Sequence, residues 1–122
     1  MAGKKVLVIE DNEQNLYLIT YLLENSGYEV FQAWDGKQGC ALAETVMPDI
    51  ILLDIQLPGM DGYAVAREIR KQPRIKDIPM VAVTSYAMPG DKEKALRAGC
   101  TGYIEKPINP EIFIDQIESH LL

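Results

Sequence analysis

The chain has a single histidine, His120, and only two cysteines, Cys40 and Cys100, which stand far apart with no Cys-x-x-Cys pair. Neither a disulfide framework nor a zinc site is supported by that spacing. Both thiols read as small buried hydrophobes in a reducing cytosol. An excess of positive charge is also missing: the formal net charge is −6. Affinity for phosphate backbones comes mainly from clustered Lys and Arg, so direct DNA binding is disfavoured. Long apolar runs are absent too. Met1 to Lys5 leads into only four strongly apolar residues, too few for a signal peptide, and no later run approaches the length of a membrane span. The expectation is a cytoplasmic protein with no membrane insertion. No repeat, low-complexity segment or shift in composition divides the chain, so residues 1–122 read as one domain.

What is present is the balance of an ordinary globular domain, 48% hydrophobic and 25% charged. Its length is sufficient to bury a core without disulfides or structural metal. Three apolar runs, Val6-Leu7-Val8-Ile9, Ile50-Ile51-Leu52-Leu53 and Met80-Val81-Ala82-Val83, are uninterrupted rather than alternating. Strands buried on both faces of a parallel sheet read this way. Glu29 to Ala33 and Gly102 to Glu105 are weaker strand candidates. Between the strands lie stretches of helical period, Asn12 to Asn25, Gly36 to Val46, Gly62 to Lys71, Pro89 to Ala98 and Pro110 to Leu121. Asn109-Pro110 reads as a cap followed by a first-turn proline, and Gly99 as a helix stop. Strict βα alternation predicts a doubly wound α/β fold, a five-stranded parallel sheet with helices on both faces and right-handed crossovers.

In such a sheet a ligand site lies beyond the carboxyl ends of the strands, at the topological switch point. Glu10 and Asp11 follow the first strand, Asp54 the third, Thr84 the fourth and Lys106-Pro107 the fifth. Each alone has an ordinary explanation. Asp11 and Thr84 could cap helices, Asp54 could begin a turn, and Lys106 could be a solvated loop charge. Together they demand more. If the first and third strands are neighbours, three carboxylates converge and disfavour one another's ionisation. A hard divalent cation such as Mg²⁺ compensates with oxygen ligands, and Lys106 supplies a second positive charge. A carboxylate placed beside a cation, an amine and a hydroxyl suits nucleophilic attack on phosphorus through an aspartyl phosphate. Asp54 stands alone at its strand end and is the nucleophile candidate. Glu10 and Asp11 form a pair suited to gripping metal.

Four segments, VLVIEDN, ILLDIQLPGMDG, VAVTSYAMPGD and GYIEKPI, resemble response-regulator receiver domains of the CheY-like kind in order and spacing across essentially the whole chain. Within that family the segment Ala87-Met88-Pro89-Gly90-Asp91 resembles the single-domain DivK type and the receivers attached to hybrid histidine kinases. Pro89 departs from the pattern at a variable position, where it is tolerable in a first helical turn but stiffens a loop that must move. The resemblance implies a flavodoxin-like fold with strand order 2-1-3-4-5 and a phosphoacceptor signalling domain of a two-component system or phosphorelay, not an enzyme with its own substrate. It implies Asp54 as phosphoacceptor and Glu10, Asp11, Asp54 and the backbone carbonyl of Gln56 as ligands to Mg²⁺. It further implies Thr84 and Lys106 as the phosphate-sensing pair, Tyr103 as the aromatic that changes rotamer with Thr84, and a cis peptide at Lys106-Pro107. Gln56 and Tyr86 occupy positions that in the family influence how easily water reaches the acyl phosphate.

The implied partners are a sensor histidine kinase or histidine phosphotransfer protein and a downstream protein target, the chain itself being a monomer or weak dimer. Because the sequence stops where the fifth helix ends, no output domain is expected. In the first helix Leu16, Ile19 and Leu23 form a core stripe, while Tyr17, Leu18 and Tyr21 fall on other faces. These are either rings edged to solvent or, for Asn15, Leu18 and Tyr21, a docking surface for a partner's helices. Met47, Met60, Met80 and Met88 read as gap filling or loop packing, Trp34 has no assigned role, and His120 reads as a solvated or terminus-stabilising group. Asp35-Gly36 and Asp61-Gly62 read as turn and helix-start chemistry.

Rival readings remain open at this point. A Mg²⁺-dependent phosphatase would use the same aspartyl-phosphate chemistry, but resembles a pattern with a second acid where this chain has Gln56. A flavodoxin would hold a flavin phosphate in a hydroxyl- and amide-rich first loop, where Glu10 and Asp11 would repel it. A receiver excised from a longer kinase is not distinguished from a stand-alone one.

Overall fold

A computed structural model describes residues 3–85 and 89–121. Met1, Tyr86, Ala87 and Met88, named above, lie outside them. Five strands alternate with five helices: β1 (Lys5–Ile9), α1 (Glu13–Asn25), β2 (Glu29–Ala33), α2 (Gly36–Val46), β3 (Ile50–Asp54), α3 (Gly62–Lys71), β4 (Met80–Thr84), α4 (Asp91–Ala98), β5 (Gly102–Glu105) and α5 (Phe113–Glu118). All strand pairs are parallel, in the order β2-β1-β3-β4-β5. The flavodoxin-like α/β fold expected from the sequence is the fold observed.

The uninterrupted apolar runs are explained by helices on both faces. Every residue of β3 and β4 is buried, whereas the edge strand β2 exposes Glu29 and Gln32. On one face Val6, Val8, Leu52 and Val83 pack with Leu16, Ile19 and Leu23 of α1 and with Phe113 and Ile117 of α5. On the other, Leu7, Ile9, Leu53 and Ala82 meet Ala43 of α2, Val65 and Ile69 of α3, and Ala95 and Ala98 of α4. Period-two alternation along each strand sends successive side chains into the two layers.

Side-chain caps start three of the helices. The carboxamide of Asn12 accepts from Asn15 N at 3.0 Å, Asp35 accepts from Gln38 N at 2.8 Å, and Asp61 from Ala64 N at 2.9 Å. Each satisfies an amide that the helix leaves without a partner. Asn12 is therefore the cap of α1, which releases Asp11 from that role. Gly99 ends α4 with φ +120°, a left-handed value that glycine adopts without strain.

Two helices are shorter than the sequence reading. α4 starts at Asp91 rather than Pro89, because Gly90 takes φ +89° and turns the chain just before it. α5 spans Phe113–Glu118 rather than Pro110 to Leu121. Its flanks close tighter turns: Ile112 N donates to Asn109 O, and Leu121 N to Glu118 O, both at 3.1 Å. Such i to i+3 bonds are common at helix ends. His120 is not solvated but half-buried, its ring lying against Gly102, where a Cβ would collide with it. Cys100 is buried and Cys40 half-buried, both free. Among the methionines, Met80 is in the core, and Met47 ends α2 with φ +55°.

Candidate phosphoacceptor site

Register brings the acids together. Ile9 of β1 pairs with Leu53 of β3, so Glu10 and Asp54 end adjacent strands. The chain leaves β1 for β2 on one side and returns to β3 on the other, which makes this the switch point of the sheet. One carboxylate oxygen from each of Glu10, Asp11 and Asp54 lies within 4.8 Å of the others. Glu10 is 1% exposed and Asp54 5%, while Asp11 faces solvent.

Lys106 arrives from the far end of the sheet. Thr84 pairs with Glu105, and the next amide, Lys106 N, donates to Thr84 O at 2.8 Å, which fixes the loop after β5 beside the end of β4. Its ammonium donates to Glu10 Oε1 at 2.6 Å and to Asp54 Oδ2 at 3.4 Å. The other oxygens are held by main chain: Asn12 N donates to Glu10 Oε2 at 3.2 Å and Gln56 N to Asp54 Oδ1 at 3.0 Å. No buried side-chain polar atom among the described residues lacks a hydrogen-bond partner. The Lys106–Pro107 peptide is cis.

Burial pushes the Glu10 carboxyl up to about 7, and the Asp54 carboxyl sharing a hydrogen bond with it adds to the shift, while Lys106 opposes both. The physical reason is charge: three carboxylates face one ammonium, and two of the three are out of water. A cluster of hard oxygen donors with this charge deficit fits a hard divalent cation. The residues present match that donor chemistry, with no nitrogen or sulfur ligand in the group.

Thr84 is buried at 2% exposure. Tyr103 pairs with Ala82, two residues before Thr84, so both side chains leave the sheet toward the α2, α3 and α4 layer. Tyr103 is half-buried and packs against the core of that layer. In α1, Asn15 and Leu18 are half-buried and Tyr21 is exposed.

Two contributors escaped the sequence reading. Ser85 Oγ donates to Gln56 Oε1 at 3.2 Å, tying the loop after β4 to the loop after β3 across the site. Its only signal in sequence is its place next to Thr84. Gly62, read as helix-start chemistry, is also a packing requirement. Its amide donates to Ile55 O at 2.9 Å, and a Cβ there would stand 2.7 Å from Asp54 O. Only glycine lets α3 approach the Asp54 backbone so closely.

Residues 6–118 match the family model described as response regulator receiver domain. The chain belongs to the response-regulator receiver family. This receiver is 42% identical over 118 residues, 97% of its length and 96% of the relative's, to the polar-differentiation response regulator DivK of Brucella anthropi. It superposes on the chemotaxis protein CheY4 of Vibrio cholerae with a TM-score of 0.93 at 31% identity, covering 98% and 100% of the two chains. It is also similar to the receiver domain of the sensor histidine kinase PA1611 of Pseudomonas aeruginosa, at 37% identity and a TM-score of 0.91 over 98% of each chain. That structure carries a magnesium ion in its active-site cleft. A receiver is a phosphoacceptor signalling domain of two-component systems rather than a conventional enzyme, and this one is DivK-like. No helix among its described residues is long and apolar enough to cross a membrane.

Proposed function

We propose that the chain is a single-domain response regulator, residues 1–122, that accepts a phosphoryl group on Asp54 from a histidine kinase or a histidine phosphotransfer protein. The observation that carries this reading is the position of Lys106 Nζ, 2.6 Å from Glu10 and 3.4 Å from Asp54, over three clustered carboxylates. Glu10, Asp11, Asp54 and the backbone carbonyl of Gln56 would hold Mg²⁺. When bound, the ion supplies positive charge to the carboxylates and to the oxygens of the incoming phosphoryl group.

In the transfer a carboxylate oxygen of Asp54 attacks phosphorus. The new P–O bond replaces the P–N bond to the donor imidazole, which leaves with the electron pair and takes a proton. Lys106 then pairs with a phosphoryl oxygen, and Glu10 retains its main-chain bond to Asn12. The burial of Asp54 and Glu10 limits water around the acyl phosphate. Gln56 and Ser85, joined across the site mouth, bear on how readily water enters.

Phosphate adds roughly −1.5 to −2 charges at this strand end. Thr84 donates its hydroxyl toward the new oxygens, and Tyr103, on the same side of the sheet, turns into the space this leaves. The surface between β4 and α5 changes shape, and a downstream protein target reads it. Moving a 1:99 equilibrium to 99:1 takes about 5.5 kcal/mol, part of which charge-assisted hydrogen bonds supply. A Thr84→Ala variant should become phosphorylated yet fail to engage the target; normal signalling by it would refute the switch. The reading places the protein in the cytoplasm, as a monomer or weak dimer without direct contact to DNA.

Incubation with Mg²⁺ and acetyl phosphate, followed by intact mass measurement, tests the acceptor. The native chain should gain one phosphoryl group and Asp54→Asn should gain none.

A further inference from the structure

A groove of about 340 Å³ opens between α1 and the free edge of the sheet, lined by Asp11, Glu13, Leu16, Tyr17, Gln32 and Trp34. Its two aromatic rings lie largely in water: Tyr17 is 73% exposed and Trp34 58%. The backbone that carries Trp34 is held in place. Trp34 N donates to Gln38 Oε1 at 2.6 Å, and the next residue, Asp35, caps α2. The groove has a fixed floor as well, since Gln32 Nε2 of β2 donates to Thr20 Oγ1 of α1 at 3.0 Å. Helical spacing puts Glu13, Tyr17, Thr20 and Glu24 on one stripe of α1, and the Thr20 bond shows that this stripe borders β2. Leu18 projects from the opposite flank of α1, whereas Tyr21, one turn after Tyr17, adjoins the groove's outer rim.

Every charge lining the groove is negative, and both exposed rings are of the types that attract cations most strongly. A guanidinium is the group that satisfies both, because it pairs with a carboxylate while its plane stacks on an indole or phenol. Glu24, exposed at the far end of the same stripe of α1, lies beyond the reach of a small cation seated at Trp34, and a chain segment with a second basic residue would meet both acids. Trp, Tyr and Arg are also the residues that dominate protein interfaces.

We propose that this groove docks an arginine-bearing basic segment of a partner protein, its anchor guanidinium held between Trp34 and Tyr17 and paired with Glu13. Asp11 belongs also to the acid cluster described above, so Glu13 carries the charge contact when a cation engages Asp11. Phosphorylation of Asp54 is not required, and failure of the docking leaves the phosphoacceptor reading untouched.

Trp34 is the only tryptophan in the chain and reports directly. With magnesium chloride present, the full chain is titrated with an acetylated, amidated hexa-arginine peptide while Trp34 emission is followed. The expected result is a saturable change, weakened about tenfold in Glu13→Gln and in Tyr17→Ala and unaltered in Glu111→Gln, a charge change at a distant exposed position. Calorimetry on Trp34→Leu should show a loss of the same order, and the melting temperatures of all variants should stay near native. The proposal fails if emission does not respond. It fails equally if Glu111→Gln weakens binding as much as Glu13→Gln, which would mean diffuse attraction to an acidic protein. Arginine amide binding as tightly as the peptide would make the ligand a small cation, and an emission change on concentrating the protein alone would make it a second copy of this chain. Both outcomes overturn the assignment.

Discussion

Glu10 is buried, bonded to a lysine from the far edge of the sheet, and held protonated into the neutral range by its surroundings. Its carboxyl rises from 4.5 to about 7 on folding in the absence of metal. The folded state thus binds the extra proton, and the stability this contributes is complete below about pH 4.5 and lost as pH rises through 7. In chelator, thermal melts between pH 4.5 and 8 should show a decline that Glu10→Gln flattens; an equal decline in the variant would contradict this. The acids, the hydroxyl and the lysine were legible from their places after the apolar runs. The particular bonds were not. Glu10 and Lys106 are ninety-six positions apart, and only the strand order brings them together. Ser85 and the steric demand on Gly62 were invisible because nothing in composition marks a contact between two loops or a helix pressed on a strand end.

At the scale of elements, the sequence carried the strands because helices on both faces turn buried strands into uninterrupted apolar runs, and it carried the starts of α2 and α3 because Asp35 and Asp61 cap them, whereas α1 is capped by Asn12, one residue after the Asp11 that the sequence offered. The ends of α5 and the start of α4 were not legible. Proline and asparagine there serve turns as readily as first helical turns, and the closing bonds are local geometry. α1 has a double character, with Leu16, Ile19 and Leu23 in the core and Tyr17 and Tyr21 exposed. Alanine at Leu18 and Tyr21 should slow phosphotransfer from a kinase by roughly tenfold, the effect of about 1.4 kcal/mol, while acetyl phosphate labels the protein at the native rate. Equal loss with both donors would indicate damaged folding rather than a docking face.

Across the whole molecule, elements distant in sequence are fastened at points remote from the site. Tyr28, just before β2, donates its hydroxyl to Glu118 Oε2 of α5 at 2.9 Å, and Arg70 of α3 donates to the carbonyls of Gly99, Lys76 and Ile78. Burial and the adjacent Glu118 carboxylate push the Tyr28 phenol up to about 12 from its usual 10. The folded chain keeps that proton where the unfolded chain loses it, so the stabilisation is present below pH 10 and fades toward pH 12. Denaturant unfolding of Tyr28→Phe should show a loss of about 1–2 kcal/mol at pH 8, and a smaller difference from native at pH 11. A gap that widened with pH would reverse the assigned sign. In the switch proposed above, such fastenings would hold the sheet together while a charge added at one strand end reshapes the surface beyond β4.

The central claim is that Asp54 is the acceptor among three clustered carboxylates, and trapping the acyl phosphate tests it most directly. After labelling with acetyl phosphate and Mg²⁺, borohydride reduction converts a phosphorylated aspartate to homoserine, and peptide sequencing by mass spectrometry locates it. The account predicts homoserine at position 54 and at neither Glu10 nor Asp11 as the corresponding reduced residue. Reduction product at position 10 or 11 with Asp54 unmodified would contradict it.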